Sequence, residues 1–381
     1  MALDPDTFNL LRDTVTRFVN ERLISREDEV SETNTIPADV VEEMQSLGLF
    51  GLSIPEEFGG LGLSMEEEAR IVFELGRASP AFRSVAGTNI GIGSQSIVIA
   101  GTDQQKAKYL PRLASGELIG SFALTEPDTG SDAMSIRATA RKMGDHYVLN
   151  GTKRYITNAP SAGLFTVMAR TAQERKADSI SCFLVPADTP GITVGKPDKK
   201  MGQRGALTSD VIFEDCKVPT SALLGETEGN GFRTSMKVLD KGRLHIAALC
   251  VGIADRLIDE AVKYARERKQ FGQPIGQFQL VQAMLADSEA EAYAAKCMVI
   301  DASRRRDRGE IPTRQAACAK MFASEMVGRV ADRAVQIFGG AGYMSEYPVE
   351  RFYRDVRLFR IFEGTTQIQQ LVIARDLLKA V

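Results

Sequence analysis

Residues 122–132 read Phe-Ala-Leu-Thr-Glu-Pro-Asp-Thr-Gly-Ser-Asp, and the texture of the chain changes across them. Upstream, apolar residues recur at helical spacing. Phe8, Leu11, Val15, Phe18 and Val19 mark one helix. Pro37 opens a second at a favoured first-turn position, lined by Val40, Val41, Met44 and Leu47, with Gly48 able to end it. Ser64 followed three residues later by Glu67 is a capping-box pattern, and a further helix is predicted from Thr102 to about Ala114. Downstream, as far as about Pro219, the chain consists of short β-runs: SIRATAR, HYVL, LFTVMAR, SISCFLV and VIFEDCKV. Asn150-Gly151, between HYVL and KRYIT, is a hairpin signal. After Gly229-Asn230-Gly231 the helical pattern returns. Phe232, Met236, Leu239, Ile246, Cys250, Ile253, Leu257, Ala261 and Tyr264 form one long stripe. Helical stretches follow over 277–308, over 313–338 and from about 365. This order predicts a mainly α chain with a central β domain: a helical domain over 1–120, a β domain over 121–229 and a helical bundle over 230–381.

Composition narrows the chemistry. A chain of 381 residues can bury a full core without disulfide or metal staples. With 47 basic against 50 acidic residues, it has no electrostatic case for nucleic acid or an anionic membrane. No apolar run approaches ~18 residues, so no membrane span is expected. The first residues carry no signal-peptide pattern, and Cys182, Cys216, Cys250, Cys297 and Cys318 are scattered. They read as reduced thiols of a cytoplasmic protein. The two histidines, His146 and His245, lie far apart and no CxxC pair occurs, so no metal site is expected. No strand feeds a GxGxxG loop, which disfavours a nicotinamide-binding fold. The run Arg304-Arg305-Arg306-Asp307-Arg308 reads as a solvated helix end. An acid or base in such a chain is a carboxylate, and the hard chemistry belongs to a cofactor.

Three segments could carry that chemistry. Residues 122–132 either join two domains or offer backbone N–H groups and the Thr125 and Ser131 hydroxyls to a polar ligand. In Arg154-Tyr-Ile-Thr-Asn158, Tyr155 is either a strand aromatic or a ring that packs on a flat ligand, with Thr157 supplying a hydroxyl. In Phe362-Glu-Gly-Thr-Thr-Gln367, Glu363 is either a dipole-stabilised first-turn residue or an acid–base group, and Gly364 lets a ligand approach the backbone.

Taken together, FALTEPDTGSD, YITN, ERKQFGQPI, QIFGGAGY and FEGTTQIQ resemble, in order and spacing, the motifs of acyl-CoA dehydrogenases across essentially the whole chain. The resemblance implies an N-terminal helical domain, a middle β-barrel domain and a C-terminal four-helix bundle. It implies FAD bound between the middle and C-terminal domains, a homotetramer, an acyl-CoA substrate and an electron-transfer flavoprotein as acceptor, in the setting of fatty-acid β-oxidation. It places Phe122, Leu124, Thr125, Gly130, Ser131, Tyr155, Ile156 and Thr157 against the flavin, Tyr155 standing where the family most often has Trp. Arg268, Gln270, Phe271, Gln279, Gln336, Gly339 and Gly340 match positions that hold a second subunit's flavin, and Thr365 and Gln367 match the remaining contacts.

By the same resemblance Glu363 is the catalytic base. Some relatives carry the base at the position of Gly242, in Asp240-Lys-Gly-Arg243, and a glycine cannot serve there. Asp240 and Arg243 match contacts to the coenzyme A side, and Ser131 and Gly364 lie near the thioester. Arg83-Ser84 resembles the pair that holds the distal carboxylate in glutaryl-CoA dehydrogenases, although that group has Tyr where this chain has Phe362. Arg360 is a further charge near the base. The implied reaction is α,β-dehydrogenation of a short- or medium-chain acyl-CoA. A dicarboxylyl-CoA dehydrogenase using Arg83, an acyl-CoA oxidase and a non-catalytic helical scaffold are the alternatives.

Overall fold

The computed structural model describes residues 3–174 and 176–379. The first part is helical: α1 (Pro5–Phe18), α2 (Glu27–Thr33), α3 (Ala38–Ser46), α4 (Met65–Leu75), α5 (Pro80–Ile90), α6 (Gln95–Ala100) and α7 (Asp103–Ser115). Asp4 caps α1, and the expected box on α4 is formed, with the Ser64 hydroxyl accepting from the Glu67 N–H while Glu67 accepts from the Ser64 N–H. The middle part holds β1 (Gly120–Ala123), β2 (Thr139–Met143), β3 (His146–Thr157), β4 (Leu164–Arg170), β5 (Ile180–Pro186), β6 (Ile192–Val194) and β7 (Thr208–Pro219). They form one sheet in the order β1-β4-β2-β3-β7-β6, with β5 also paired to β4.

The last part holds α8 (Gly231–Glu267), a small ribbon of β8 (Lys269–Gln270) and β9 (Gln273–Pro274), then α9 (Gln279–Asp307), α10 (Thr313–Phe338), α11 (Pro348–Val356) and α12 (Thr366–Lys379). The seam of this bundle is rich in small residues, with Ala247, Ala254 and Ala261 of α8 buried together with Ala295 and Ala302 of α9 and Ala316, Ala323 and Ala331 of α10. Small side chains let long helices approach closely over many turns.

One expectation fails. Asn150-Gly151 is not a hairpin turn but lies inside the continuous strand β3. The turn falls earlier, where Met143 pairs with His146 and Gly144 takes φ +67°. Gly151 instead marks a bulge against β7, and Asn150 spans it by exchanging hydrogen bonds with Asp215 at 3.1 and 2.8 Å. The basic run ending α9 is also more than a solvated end. Asp307 accepts from the N–H groups of Met65 and Glu66 at 2.7 and 3.0 Å, so it caps α4, and Arg304 pairs with Glu66 at 2.6 Å. This locks the first helical part to the bundle. Buried Glu27 adds a second tie, accepting from the Ser79 N–H and from Arg351, at 2.7 and 2.8 Å. Among the described residues no helix is long and apolar enough to cross a membrane, and no cluster of three metal-ligating side chains occurs.

Candidate active site

Four non-glycine residues in the motif segments have positive φ: Tyr155 (58°), Asn158 (62°), Phe271 (51°) and Glu363 (51°). Such backbone is costly for a side-chain-bearing residue and concentrates at functional sites.

At Glu363 the turn is held from two sides. Lys320 on α10 donates to the Gly364 carbonyl at 2.7 Å, and Gln369 on α12 donates to the Glu363 and Gly364 carbonyls at 3.2 and 3.0 Å. The Thr365 hydroxyl accepts from the Ile368 N–H at 3.2 Å and so caps α12, while Gln367 is exposed beside it. Glu363 is partly exposed as a residue, but its Oε2 is buried and has no hydrogen-bond partner. Burial pushes its carboxyl above the ordinary glutamate range, against the pull of Arg83, Lys320 and Arg243. Among the described residues the Glu363 N–H donates to no backbone carbonyl or side chain. A raised, unpaired carboxylate beside a free N–H can take a proton while the N–H stabilises developing negative charge.

Gly242 faces this carboxylate across α8. A Cβ at Gly242 would collide with Glu363 Oε2, so the glycine makes the room this carboxylate occupies. We expect Gly242→Ala to displace the Glu363 carboxylate with little loss of stability, because the colliding atom is the far end of a flexible side chain and alanine is the better helix former. Misplacement on the order of 1 Å can cost a base roughly 10²-fold in rate. Thermal unfolding and turnover check these expectations, and a wild-type rate would mean that the carboxylate lies elsewhere. Asp240, two residues earlier, is held by Arg243 at 2.5 Å and by the Thr313 hydroxyl at 2.9 Å, and Arg243 is buried with its Nε unpaired. Arg360 has a partner in Glu325 at 3.4 Å, whose other oxygen accepts from Thr366 at 2.6 Å.

The middle sheet brings the 122–131 and 155–157 segments side by side. The Arg154 N–H donates to the Thr125 carbonyl at 2.8 Å, and the Ser121 hydroxyl donates to the Thr157 carbonyl at 2.7 Å. Phe122, Leu124 and Ile156 are buried, Thr125 and Thr157 are half-buried, and Gly130, Ser131 and Tyr155 are exposed. Beneath them Lys153, fully buried, donates to the Leu124 carbonyl at 3.1 Å and pairs with Glu126 at 2.7 Å. Glu126 also accepts from the N–H groups of Arg137 and Ala138. The exposed, strained Tyr155 ring beside Thr125, whose N–H and hydroxyl bond nothing among the described residues, fits a flat polar ligand such as a flavin.

Arg268, Gln270 and Phe271 lie at another place, the end of the bundle where Tyr264 of α8 stacks on Phe338 of α10 at 4.1 Å. That stack brings them to the same end as Gln336, Gly339 and Gly340, all of which are exposed, as is Gln279. No hydrogen bond or ion pair among the described residues joins this set to the Thr125 or Glu363 sets. Among the described residues Arg268 has no carboxylate within ion-pair distance, so its guanidinium is free to meet an anion.

Arg83 is buried on α5, within electrostatic reach of Glu363. Ser84 is not arranged with it. Its hydroxyl donates back to the Pro80 carbonyl at 3.0 Å, one turn earlier in the helix. Sequence reasoning missed Lys320, Gln369, Lys153 and Glu126, and also Glu68 and His245, which adjoin Arg83. Glu126 and Gln369 stand inside FALTEPDTGSD and FEGTTQIQ, and Lys153 directly precedes the 154–158 segment, but the sequence reading gives none of the three a site role. Lys320, Glu68 and His245 stand in no motif and come from elements distant in the chain.

Three family models cover the chain: acyl-CoA dehydrogenase N-terminal domain over 5–117, middle domain over 121–216 and C-terminal domain over 229–378. The caffeyl-CoA reductase–Etf complex subunit CarC of Acetobacterium woodii is 43% identical over 92% of this chain and 93% of its own. The mitochondrial short-chain specific acyl-CoA dehydrogenase of Rattus norvegicus is 40% identical over 99% and 91%. Among solved structures, the butyryl-CoA dehydrogenase of Megasphaera elsdenii superposes with a TM-score of 0.95 at 35% identity, over 99% of this chain and 100% of that one.

Proposed function

Since the chain belongs to the acyl-CoA dehydrogenase family, and is therefore an FAD-dependent oxidoreductase acting on acyl-CoA, we propose that it dehydrogenates a short- or medium-chain acyl-CoA at Cα–Cβ with Glu363 as the base. The observation that carries this reading is the buried, unpaired Glu363 carboxylate held on a strained, doubly clamped turn. Bound FAD supplies the hydride acceptor. The protein's own part is proton removal at Glu363 Oε2 and donation from the Glu363 N–H to the thioester oxygen, which makes the α-proton removable. Thr125, Tyr155 and Thr157 would hold the flavin ring, with Phe122, Leu124, Gly130, Ser131 and Ile156 shaping its bed. Thr365 and Gln367 would complete it, and Arg243 and Asp240 would meet the coenzyme A side. The name of the Acetobacterium woodii relative describes a reductase, and in that direction a protonated Glu363 would return the proton.

The exposed set at the bundle end supports a homotetramer in which Arg268, Gln270, Phe271, Gln279, Gln336, Gly339 and Gly340 hold a neighbour's FAD. Phe271, Leu280 and Tyr343 are 94%, 82% and 86% exposed there, more apolar surface than a monomer usually leaves uncovered. The name of the same Acetobacterium woodii relative, a reductase–Etf complex subunit, supports an electron-transfer flavoprotein as redox partner, which for dehydrogenation would be the acceptor. Release of peroxide at the dye-coupled rate would point to an oxidase instead, and purified protein without flavin absorbance to a scaffold.

A second reading concerns the acyl tail. Arg83 is buried, lacks a carboxylate within ion-pair distance among the described residues, and keeps an unpaired Nε. A distal carboxylate on the substrate would complete it. We expect glutaryl-, adipyl- or pimeloyl-CoA to bleach the flavin alongside butyryl-CoA. Arg83→Gln should lower kcat/KM for the dicarboxylyl thioesters by roughly tenfold or more relative to butyryl-CoA. A wild-type enzyme that turns over butyryl- to octanoyl-CoA but none of the dicarboxylyl thioesters removes this reading.

A further inference from the structure

Arg83 and Glu363 pose a physical problem. Arg83 is buried and Glu363 has a buried carboxylate oxygen, each has an unpaired polar atom, and each feels the other's charge, yet no ion pair joins them. In a low-dielectric pocket a free guanidinium beside a free carboxylate collapses into a bidentate pair. Something must hold Arg83 back.

The restraint is built from three elements. The Arg83 guanidinium packs on its own helix at Gly87, where an added Cβ would come within 2.8 Å of Cζ and Nη1. Its Nη2 bonds Nδ1 of His245, on α8. The other ring nitrogen, Nε2, lies 3.1 Å from Glu68 Oε1 on α4, and Glu68 Oε2 lies 2.9 Å from Lys241 Nζ, one turn before His245. All four side chains are at most 7% exposed. Arg83 can only donate, so Nδ1 must accept, and a neutral ring then carries its proton on Nε2, which faces the Glu68 carboxylate without a formed hydrogen bond. The ring is therefore a neutral Nε2–H imidazole. Burial and the nearby Arg83 charge pull its pKa down to about 4, which keeps it neutral at working pH. Burial would raise the Glu68 carboxyl, but Lys241 and His245 outweigh it and hold it at about 2, so the carboxylate stays ionised.

We propose that His245 is a positioning residue that holds Arg83 off the Glu363 carboxylate, leaving both groups open to substrate. The inference rests on Glu363 being the base. It does not need an anionic acyl tail. Lys320 and Arg243 also face Glu363, but Lys320 is engaged with the Gly364 carbonyl and Arg243 with Asp240, so Arg83 is the cation whose release matters.

The test uses the FAD-loaded enzyme and butyryl-CoA, an uncharged-tail substrate, in stopped-flow bleaching between pH 6 and pH 9. His245→Leu removes the acceptor. With FAD content retained, it should bleach roughly tenfold or more slowly. Its acid limb should move to lower pH, because an Arg83–Glu363 pair lowers the base's pKa. The double variant His245→Leu/Arg83→Gln should return to the rate of Arg83→Gln alone, a strong non-additivity. His245→Asn, which offers an acceptor near the Nδ1 position, should lose less than His245→Leu. If His245→Leu fails to load FAD, Glu68→Gln, which frees the imidazole to change tautomer, should show a smaller loss with the same relief by Arg83→Gln. A loss that persists undiminished in the double variant, or an unmoved acid limb, overturns the proposal. A silent His245→Leu beside an inactive Glu363→Gln removes this inference alone, whereas full bleaching by Glu363→Gln removes the base reading and this inference with it.

Discussion

Glu363→Gln is expected to keep bound FAD and to slow bleaching by butyryl-CoA by roughly 10²–10⁴-fold, the usual worth of a positioned base. The amide matches the carboxylate in shape, so the turn clamped by Lys320 and Gln369 should survive. What changes is the proton-accepting atom. Among the described residues Oε2 has no hydrogen-bond partner to take over the proton in its place. Lys320, pulled down to about 8 by burial, is engaged with the Gly364 carbonyl, and Gly242 carries no side chain. The wild-type pH profile gives a second check. Burial raises the Glu363 pKa, so the base is neutralised as pH falls through a value above the ordinary glutamate range. The acid limb of the bleaching rate should therefore lie above that range and vanish in Glu363→Gln. Residual bleaching near the wild-type rate, or an acid limb that persists, would assign the base to another group.

That Glu363 was legible at all comes from its setting in a linear run, Phe362-Glu-Gly-Thr-Thr-Gln367, where a turn, a cap and a carboxylate fall within six residues. The segments 122–132 and 154–158 were legible for the same reason. What the chain order hides is whatever comes from crossing elements. Gly242 could be read as a position without a base, but not as the space that Glu363 fills, because that depends on α8 passing the 363 turn. Glu68, His245 and Lys241 sit on α4 and α8 as ordinary helix residues, and only the packing of those helices makes them a chain ending at Arg83. The Asn150-Gly151 misreading has a related cause. Left-handed backbone is needed at a bulge as well as at a turn, and only the pairing of β3 with β7 tells them apart. A matching residue type alone does not fix a role either, since the Ser84 hydroxyl donates to the Pro80 carbonyl of its own helix.

Lys153→Met should unfold at markedly lower temperature, with a stability loss of about 3–5 kcal/mol, and should release FAD more readily. Lys153 is wholly buried, and burial pulls its pKa down to about 8 despite Glu126, so at neutral pH it remains mostly a cation held by that partner. Methionine fits the space but leaves the Glu126 carboxylate buried with only the Arg137 and Ala138 N–H groups for support. It also leaves the Leu124 carbonyl without its 3.1 Å donor, in the segment proposed to hold the flavin. An unpaired buried charge costs more than the pair contributes, so removing both partners should hurt less than removing one. The double variant Lys153→Met/Glu126→Gln should therefore recover part of the lost stability, because the remaining amide oxygen still accepts from one N–H. Additive losses in the double variant would show that Lys153 acts by filling volume. A single variant of unchanged Tm and unchanged flavin content would show that the 122–131 segment is held by the Arg154–Thr125 and Ser121–Thr157 bonds alone.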